Sequence, residues 1–225
     1  MKRVMAGEPL PRAVLLDLDG TLYHQSLLRL LMAPYVARLA VIERGSIVRA
    51  LWTFRRARED LRRLGAPAEE LRRLQYTKPA SILGCDPAWL ETIVNEWIMQ
   101  RPLRFLRYCR RAGIVELLDE LQRRAIPAGV FSDYPTTEKL AALSLSGRFA
   151  LELCATDPEV NAFKPHPRGF LLACERLGVP PEDALYIGDR AEIDRVGASA
   201  SGMRAAIISA HAGFRRVTRR MFAYA

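Results

Sequence analysis

Val14-Leu15-Leu16-Asp17-Leu18-Asp19-Gly20-Thr21-Leu22-Tyr23 is the stretch from which the rest of the chain is read. The unbroken apolar run before Asp17 predicts a strand buried on both faces, and Gly20 ends it in a turn. A pleated strand sends alternate side chains the same way, so Asp17 and Asp19 share a side at the strand's carboxyl end and can address one ligand. Asp, Gly and Thr also gather wherever strands stop, so the stretch alone does not decide between a turn and a site.

Beyond Tyr23 the apolar spacing becomes helical. Helices are predicted over residues 26–43, 47–64, 68–76 and 87–99, with Ser26 and Asp86 as N-caps and Gly45, Gly65-Ala66-Pro67 and Gly84-Cys85-Asp86-Pro87 as breaks. From Gly113 short apolar strands (127–131, 151–155, 184–187 and 204–208) alternate with helices (114–124, 136–143, 167–177 and 193–199). Such alternation implies an α/β fold, a parallel sheet with helices on both faces. The all-helical segment then reads as an insertion after the first strand. The expected division is a core of residues 1–24 plus 109–225 and an inserted helical domain of residues 25–108.

Composition excludes several classes. Half of the 225 residues are hydrophobic and 26% charged, which is globular and not disordered. Cys85, Cys109, Cys154 and Cys174 are scattered without a Cys-x-x-Cys pair, so neither a zinc site nor a disulfide framework is indicated, and a reducing cytoplasm is expected. Lys2 and Arg3 lead into Gly7-Glu8-Pro9 and not into an apolar region, so no secretory signal is read. Residues 27–42 include Arg29 and Arg38 and fall short of a spanning length; a buried amphipathic helix kinked at Pro34 is expected instead. The formal charge of +9 is concentrated. Residues 24–111 hold 17 Lys and Arg against 8 Asp and Glu, and the remainder balances to zero.

Three later segments place reactive side chains at predicted strand ends. Val130-Phe131-Ser132-Asp133 offers a hydroxyl where a helix cap would also serve. Lys164-Pro165-His166-Pro167 holds a lysine ahead of a helix. Tyr186-Ile187-Gly188-Asp189 runs a strand into a carboxylate, with Asp194 five residues on.

In this order the four segments resemble the haloacid dehalogenase superfamily, with its Asp-x-Asp-x-Thr, Ser/Thr, Lys and Gly-Asp-x-x-x-x-Asp motifs. The likeness covers about residues 11–23 and 113–212. It implies a Rossmann-like core, and the position of the insert resembles the helical C1 cap of the phosphoglycolate phosphatase-like subfamily. It also implies roles. Asp17 would be the nucleophile, passing through an aspartyl-phosphate. Asp19 would be the general acid and base; dehalogenases of the family have no Asp here, which favours phosphoryl chemistry. Lys164, Ser132 and Thr21 would hold the phosphate and the loop. Mg²⁺ would be held by Asp17, the Asp19 carbonyl and Asp189, with Asp194 orienting the shell. Asp133 stands where many relatives have Asn and is included among the phosphate-binding residues.

The function implied is Mg²⁺-dependent hydrolysis of a small-molecule phosphate ester. A phosphomutase or phosphotransferase, or a basic non-catalytic binding module, is the alternative. Arg49, Arg55, Arg56, Arg58, Arg62, Arg63, Arg72 and Arg73 crowd two helices of the insert. They read as a solvated basic face or as ligands for a second anionic group on a small metabolite, with an anionic membrane surface as another partner; no nucleic acid is expected. His166 reads as part of a rigid turn or as a substrate ligand. The family's phosphonate hydrolases use a cap lysine as a Schiff base; Lys78, next to Pro79, is the one lysine of this insert, and that activity is not expected.

Overall fold

In a computed structural model that describes residues 9–42, 45–209 and 213–222, the first strand, β1 (Ala13–Leu16), lies fully buried at the centre of a five-stranded sheet. Its partners are β2 (Ala128–Ser132), β3 (Leu151–Cys154), β4 (Ala184–Gly188) and β5 (Arg204–Ile207). The order is β3-β2-β1-β4-β5 and every pair is parallel, the α/β arrangement that alternation predicts. Leu16 is level with Val130 on one side and Ile187 on the other, so β1, β2 and β4 end together.

Pleating divides the core into two layers. Val14, Leu16, Val130 and Ile187 face Leu117, Leu118 and Phe214, the first two on helix α6 (Ile114–Arg123). Leu15, Phe131 and Tyr186 face Phe170 and Ala173 of α8 (Arg168–Leu177). The Phe170 ring meets Phe131 and Tyr186 edge-on, at centroid distances of 5.1 and 4.8 Å.

Between β1 and α6 the chain forms α1 (Gln25–Ile42), α2 (Ser46–Leu64), α3 (Leu71–Leu83), α4 (Pro87–Val94) and α5 (Arg101–Cys109). The ways in and out of this helical insert are tied together. Tyr23 and Arg110 form an antiparallel bridge, flanked by hydrogen bonds from the His24 amide to the Cys109 carbonyl and from the Arg111 amide to the Leu22 carbonyl.

Several elements differ from the sequence reading for identifiable reasons. α1 is not a buried helix: Leu28, Met32 and Leu39 are buried, whereas Leu30, Val41 and Ile42 are exposed. Its apolar residues encircle the helix, so no single face can bury them all. Of its 18-residue window, whose mean hydropathy is 1.3, only 17% is buried, and by length and composition the helix could cross a membrane. Residue 43, the predicted end of this helix, lies outside the described residues. Ser26 falls inside the first turn and not at its cap, whereas Asp86 does cap α4 by accepting from the Ala88 amide.

α3 runs on through Pro79 to Gly84, which closes it in the left-handed conformation. The helix predicted over 87–99 continues to Cys109 by a π-helical turn, Asn95–Gln100, where the Arg101 amide bonds the Glu96 carbonyl. Pro102 explains the turn: it has no N–H to offer the Ile98 carbonyl and its ring needs room there, which the wider helix provides.

Candidate active site

Three strand ends and one loop converge above the centre of the sheet. The Asp17 amide bonds the Ile187 carbonyl at 2.9 Å, which anchors the loop after β1 to β4. Gly20 has φ +92, and a Cβ there would strike the Asp189 carboxylate. Only glycine both adopts this turn and lets the two loops touch. Buried Arg111, at the insert's exit, donates to the Gly20 carbonyl at 2.7 Å and braces the turn from behind.

Lys164 is the hub. Its ammonium is 3% exposed and donates to Asp17 Oδ1 at 2.6 Å, to Asp194 Oδ1 at 2.9 Å and to the Tyr186 hydroxyl at 2.9 Å. Burial would lower its pKa, but Asp17, Tyr186, Asp194 and Asp133 outweigh burial and hold it well above the usual lysine value, so it remains a cation. Thr21 donates to the other Asp17 oxygen at 2.8 Å. Asp194 Oδ2 accepts from the amides of Asp189 and Arg190 and so shapes the loop after β4. Gly188 is required beside it, because any Cβ would overlap the Asp194 carboxylate.

The carboxylates of Asp17, Asp189 and Asp194 each place an oxygen within 4.8 Å of the others. Burial pushes Asp17 up to about 8, with Lys164 opposing and Asp194 and Asp189 adding to the rise. Burial likewise raises Asp189 to about 6, reinforced by Asp194. Asp189 Oδ1 is buried with no hydrogen-bond partner. A cluster of hard oxygen donors, one of them buried and unpaired, fits a divalent cation such as Mg²⁺.

Asp19 points away from that cluster. Its carboxylate receives Lys139 Nζ at 2.6 and 2.8 Å and the Tyr23 hydroxyl, with Ser132 Oγ at 3.4 Å. Lys139, on α7 (Thr137–Ala142), was not singled out from the sequence. No local signal marks it: a lysine in the last turn of a helix suits the helix dipole and is ordinary there, yet this one is 7% exposed. Ser132 also accepts the Tyr134 amide at 3.1 Å, so its oxygen both caps the loop and faces Asp19.

Asp133 is turned to the insert. Arg62 of α2 donates to its Oδ2 at 2.9 Å, and the Lys164 amide to its Oδ1 at 3.2 Å. Burial would raise Asp133, but Arg62, Lys164 and Arg58 together hold it below the usual carboxylate value. Arg58 is 3% exposed; it donates to the Asp133 carbonyl at 2.7 Å and to Gln75, and lies between the Tyr134 and Phe163 rings at 4.0 and 4.2 Å. Two of the eight crowded arginines therefore clasp the insert to the sheet. His166 Nδ1 accepts from the Arg168 amide, a local turn contact, and it does not line the cavity above Asp17; nor does Lys78, exposed on α3.

With this geometry in hand, the chain can be set beside known proteins. The model of the haloacid dehalogenase-like hydrolase family matches residues 11–202. The chain belongs to that family. Among haloacid dehalogenase-like structures, a phosphatase from Thermococcus onnurineus superposes with a TM-score of 0.61 at 25% identity, covering 88% of this chain and 86% of the other. Glyceraldehyde 3-phosphate phosphatase of Methanopyrus kandleri is 42% identical over 66 residues, 29% of this chain and 28% of that protein. Phosphoglycolate phosphatase of Escherichia coli is 33% identical over 79 residues, 34% of this chain and 31% of that protein. The matched stretches thus span only about a third of these curated relatives' length.

Proposed function

We propose that this haloacid dehalogenase-like hydrolase is a phosphomonoester phosphatase of the C1-capped, phosphoglycolate phosphatase-like kind, with residues 25–108 as cap and residues 1–24 and 109–225 as core. The observation that carries the reading is the pairing of buried Asp17 with the Lys164 ammonium at 2.6 Å, beside the unpartnered Asp189 oxygen. In this reading the Asp17 carboxylate attacks phosphorus, the P–O bond to the alcohol breaks, and an aspartyl-phosphate forms. Lys164 faces the phosphoryl oxygens as a fixed cation, and Thr21 holds the attacking carboxylate in place.

To act as general acid Asp19 first takes a proton as the phosphate monoester binds; it gives that proton to the departing alkoxide and returns to the carboxylate that Lys139 and Tyr23 stabilise where they already stand. The same carboxylate then takes a proton from the water that hydrolyses the intermediate. Asp17, the Asp19 carbonyl and Asp189 would hold Mg²⁺, with Asp194 supporting them. When bound, Mg²⁺ supplies positive charge that keeps Asp17 and Asp189 ionised and offsets the repulsion between carboxylate and phosphate. Four unpaired cysteines suit a cytoplasmic setting.

The expectation of a second anionic group on the substrate loses two of its candidate ligands, since Arg58 and Arg62 face Asp133 and the sheet. The test is phosphate release from a panel of phosphomonoesters with and without Mg²⁺, by the native protein and by Asp17→Asn. Turnover that requires both is expected. Turnover that survives Asp17→Asn would refute the assigned nucleophile.

A further inference from the structure

The cavity above Asp17 has a volume of about 720 Å³, room for a ligand much larger than phosphate or glycolate. Its polar end is the catalytic floor of Asp17, Lys164 and Lys139. Away from that floor its lining is largely apolar: Val36 of α1, Val48 and Leu51 of α2, and Trp97, Ile98 and Met99, three successive residues of the π-helical turn. All six are only half-buried, so their apolar surface is available to a ligand.

The other cations that line the cavity are poorly placed to hold a second phosphate. Arg58 and Arg62 are engaged by Asp133 and the sheet, Arg29 donates to Gln25, and Arg190 donates to Glu192. Arg55 lines the cavity but is exposed, where water and salt weaken its pull.

We propose that the substrate is an amphiphilic phosphomonoester, a terminal phosphate on an apolar chain or ring. The phosphate enters toward Asp17 and Lys164, and the apolar body lies against Val36, Leu51 and Trp97. This rests on the phosphatase reading and names its substrate class. Two sources share the chemistry, a dispersed metabolite and a bilayer lipid. Exposed Leu30, Val41 and Ile42 on α1, the helix that also lines the cavity, bear on the second.

The experiment is a chain-length series, ethyl, butyl, hexyl and octyl phosphate, each below its micelle-forming concentration. Each methylene buried against the wall is expected to raise kcat/KM by up to about fourfold, and octyl over ethyl phosphate by at least roughly tenfold. Val36→Glu places a charge on the wall without removing a core contact, and lowers the octyl-to-ethyl ratio toward unity. Trp52→Ala, at an exposed lining residue, does the same to a smaller degree. Calorimetry with octylphosphonate and ethylphosphonate on Asp17→Asn reads the same preference without turnover. Vesicles containing phosphatidic acid assign the source: faster release than from dispersed octyl phosphate indicates a bilayer, slower release a dispersed substrate. No turnover of any ester would overturn the phosphatase reading. Turnover with a flat series, or with phosphoglycolate preferred to octyl phosphate, would overturn the amphiphile alone.

Discussion

The floor of the site and the helical insert above it use charge in opposite ways. On the floor, charged groups are buried and face one another: Lys164 bridges Asp17 and Asp194, and Lys139 of α7 meets Asp19. In the insert, the cations are numerous, and those that are buried are clamps. Arg58 and Arg62 hold Asp133 and the sheet, while Arg63, paired with Asp60, is mostly in water. Charge density in the sequence therefore says little about ligand binding. What counts is whether a charge is desolvated and what faces it.

The comparison can be broken most sharply at the floor. Asp17→Asn keeps the shape and removes the proposed nucleophile, and phosphate release is expected to fall by at least about 10³-fold. A loss of less than about tenfold would mean the buried ion pair is structural. Next in size is the cation. Mg²⁺ at a hundred times its dissociation constant should stabilise the native protein by about 2.7 kcal/mol in thermal or chemical unfolding, and Asp189→Asn should abolish this. Equal stabilisation of both proteins would place the cation elsewhere.

The clamp comes third. Asp133→Ala removes one of the two carboxylates that Arg62 meets, at a site where both side chains are mostly buried, and leaves it only the half-exposed Glu59 at 3.0 Å; the cost expected is about 2 kcal/mol in denaturant unfolding. Acid should act on the same contact. Asp133 has a folded pKa below its unfolded value of 3.8, so its contribution is fully present above that value and is lost as pH falls through the lower, folded one. Native protein should lose stability between about pH 4 and pH 2 by more than Asp133→Ala does, a difference read from unfolding midpoints. The smallest effect expected is that of Arg63→Ala, below about 0.5 kcal/mol, since its partner is also exposed. If Arg63→Ala matched Asp133→Ala, the distinction between clamp and solvated face would collapse.

Much of the floor was legible because its residues sit at fixed offsets from strand ends. Asp17 and Asp19, Ser132, and Asp189 with Asp194 each follow an apolar run that ends a strand, and a parallel sheet brings such ends to one edge; Lys164 joins them from the loop between β3 and α8. Lys139 is not legible because it sits in the last turn of a short helix, where a cation is ordinary, and nothing local marks a lysine as buried. For Asp133 the sequence offers only its place beside the expected phosphate site; the partner its carboxylate meets, Arg62, lies 71 residues earlier in the chain. α1 looked like a buried helix because apolar content was mistaken for burial, which depends on what packs against it.

The sequence by itself determined the α/β alternation, the place of the helical insertion and most of the residues that gather at the strand ends, because periodicity and strand-end position are local properties. Tertiary structure alone decided which arginines clamp and which are solvated, which lysine meets Asp19, and that the insert's wall is apolar. Those outcomes depend on contacts between segments tens of residues apart, and burial and pairing of charge have no local signature.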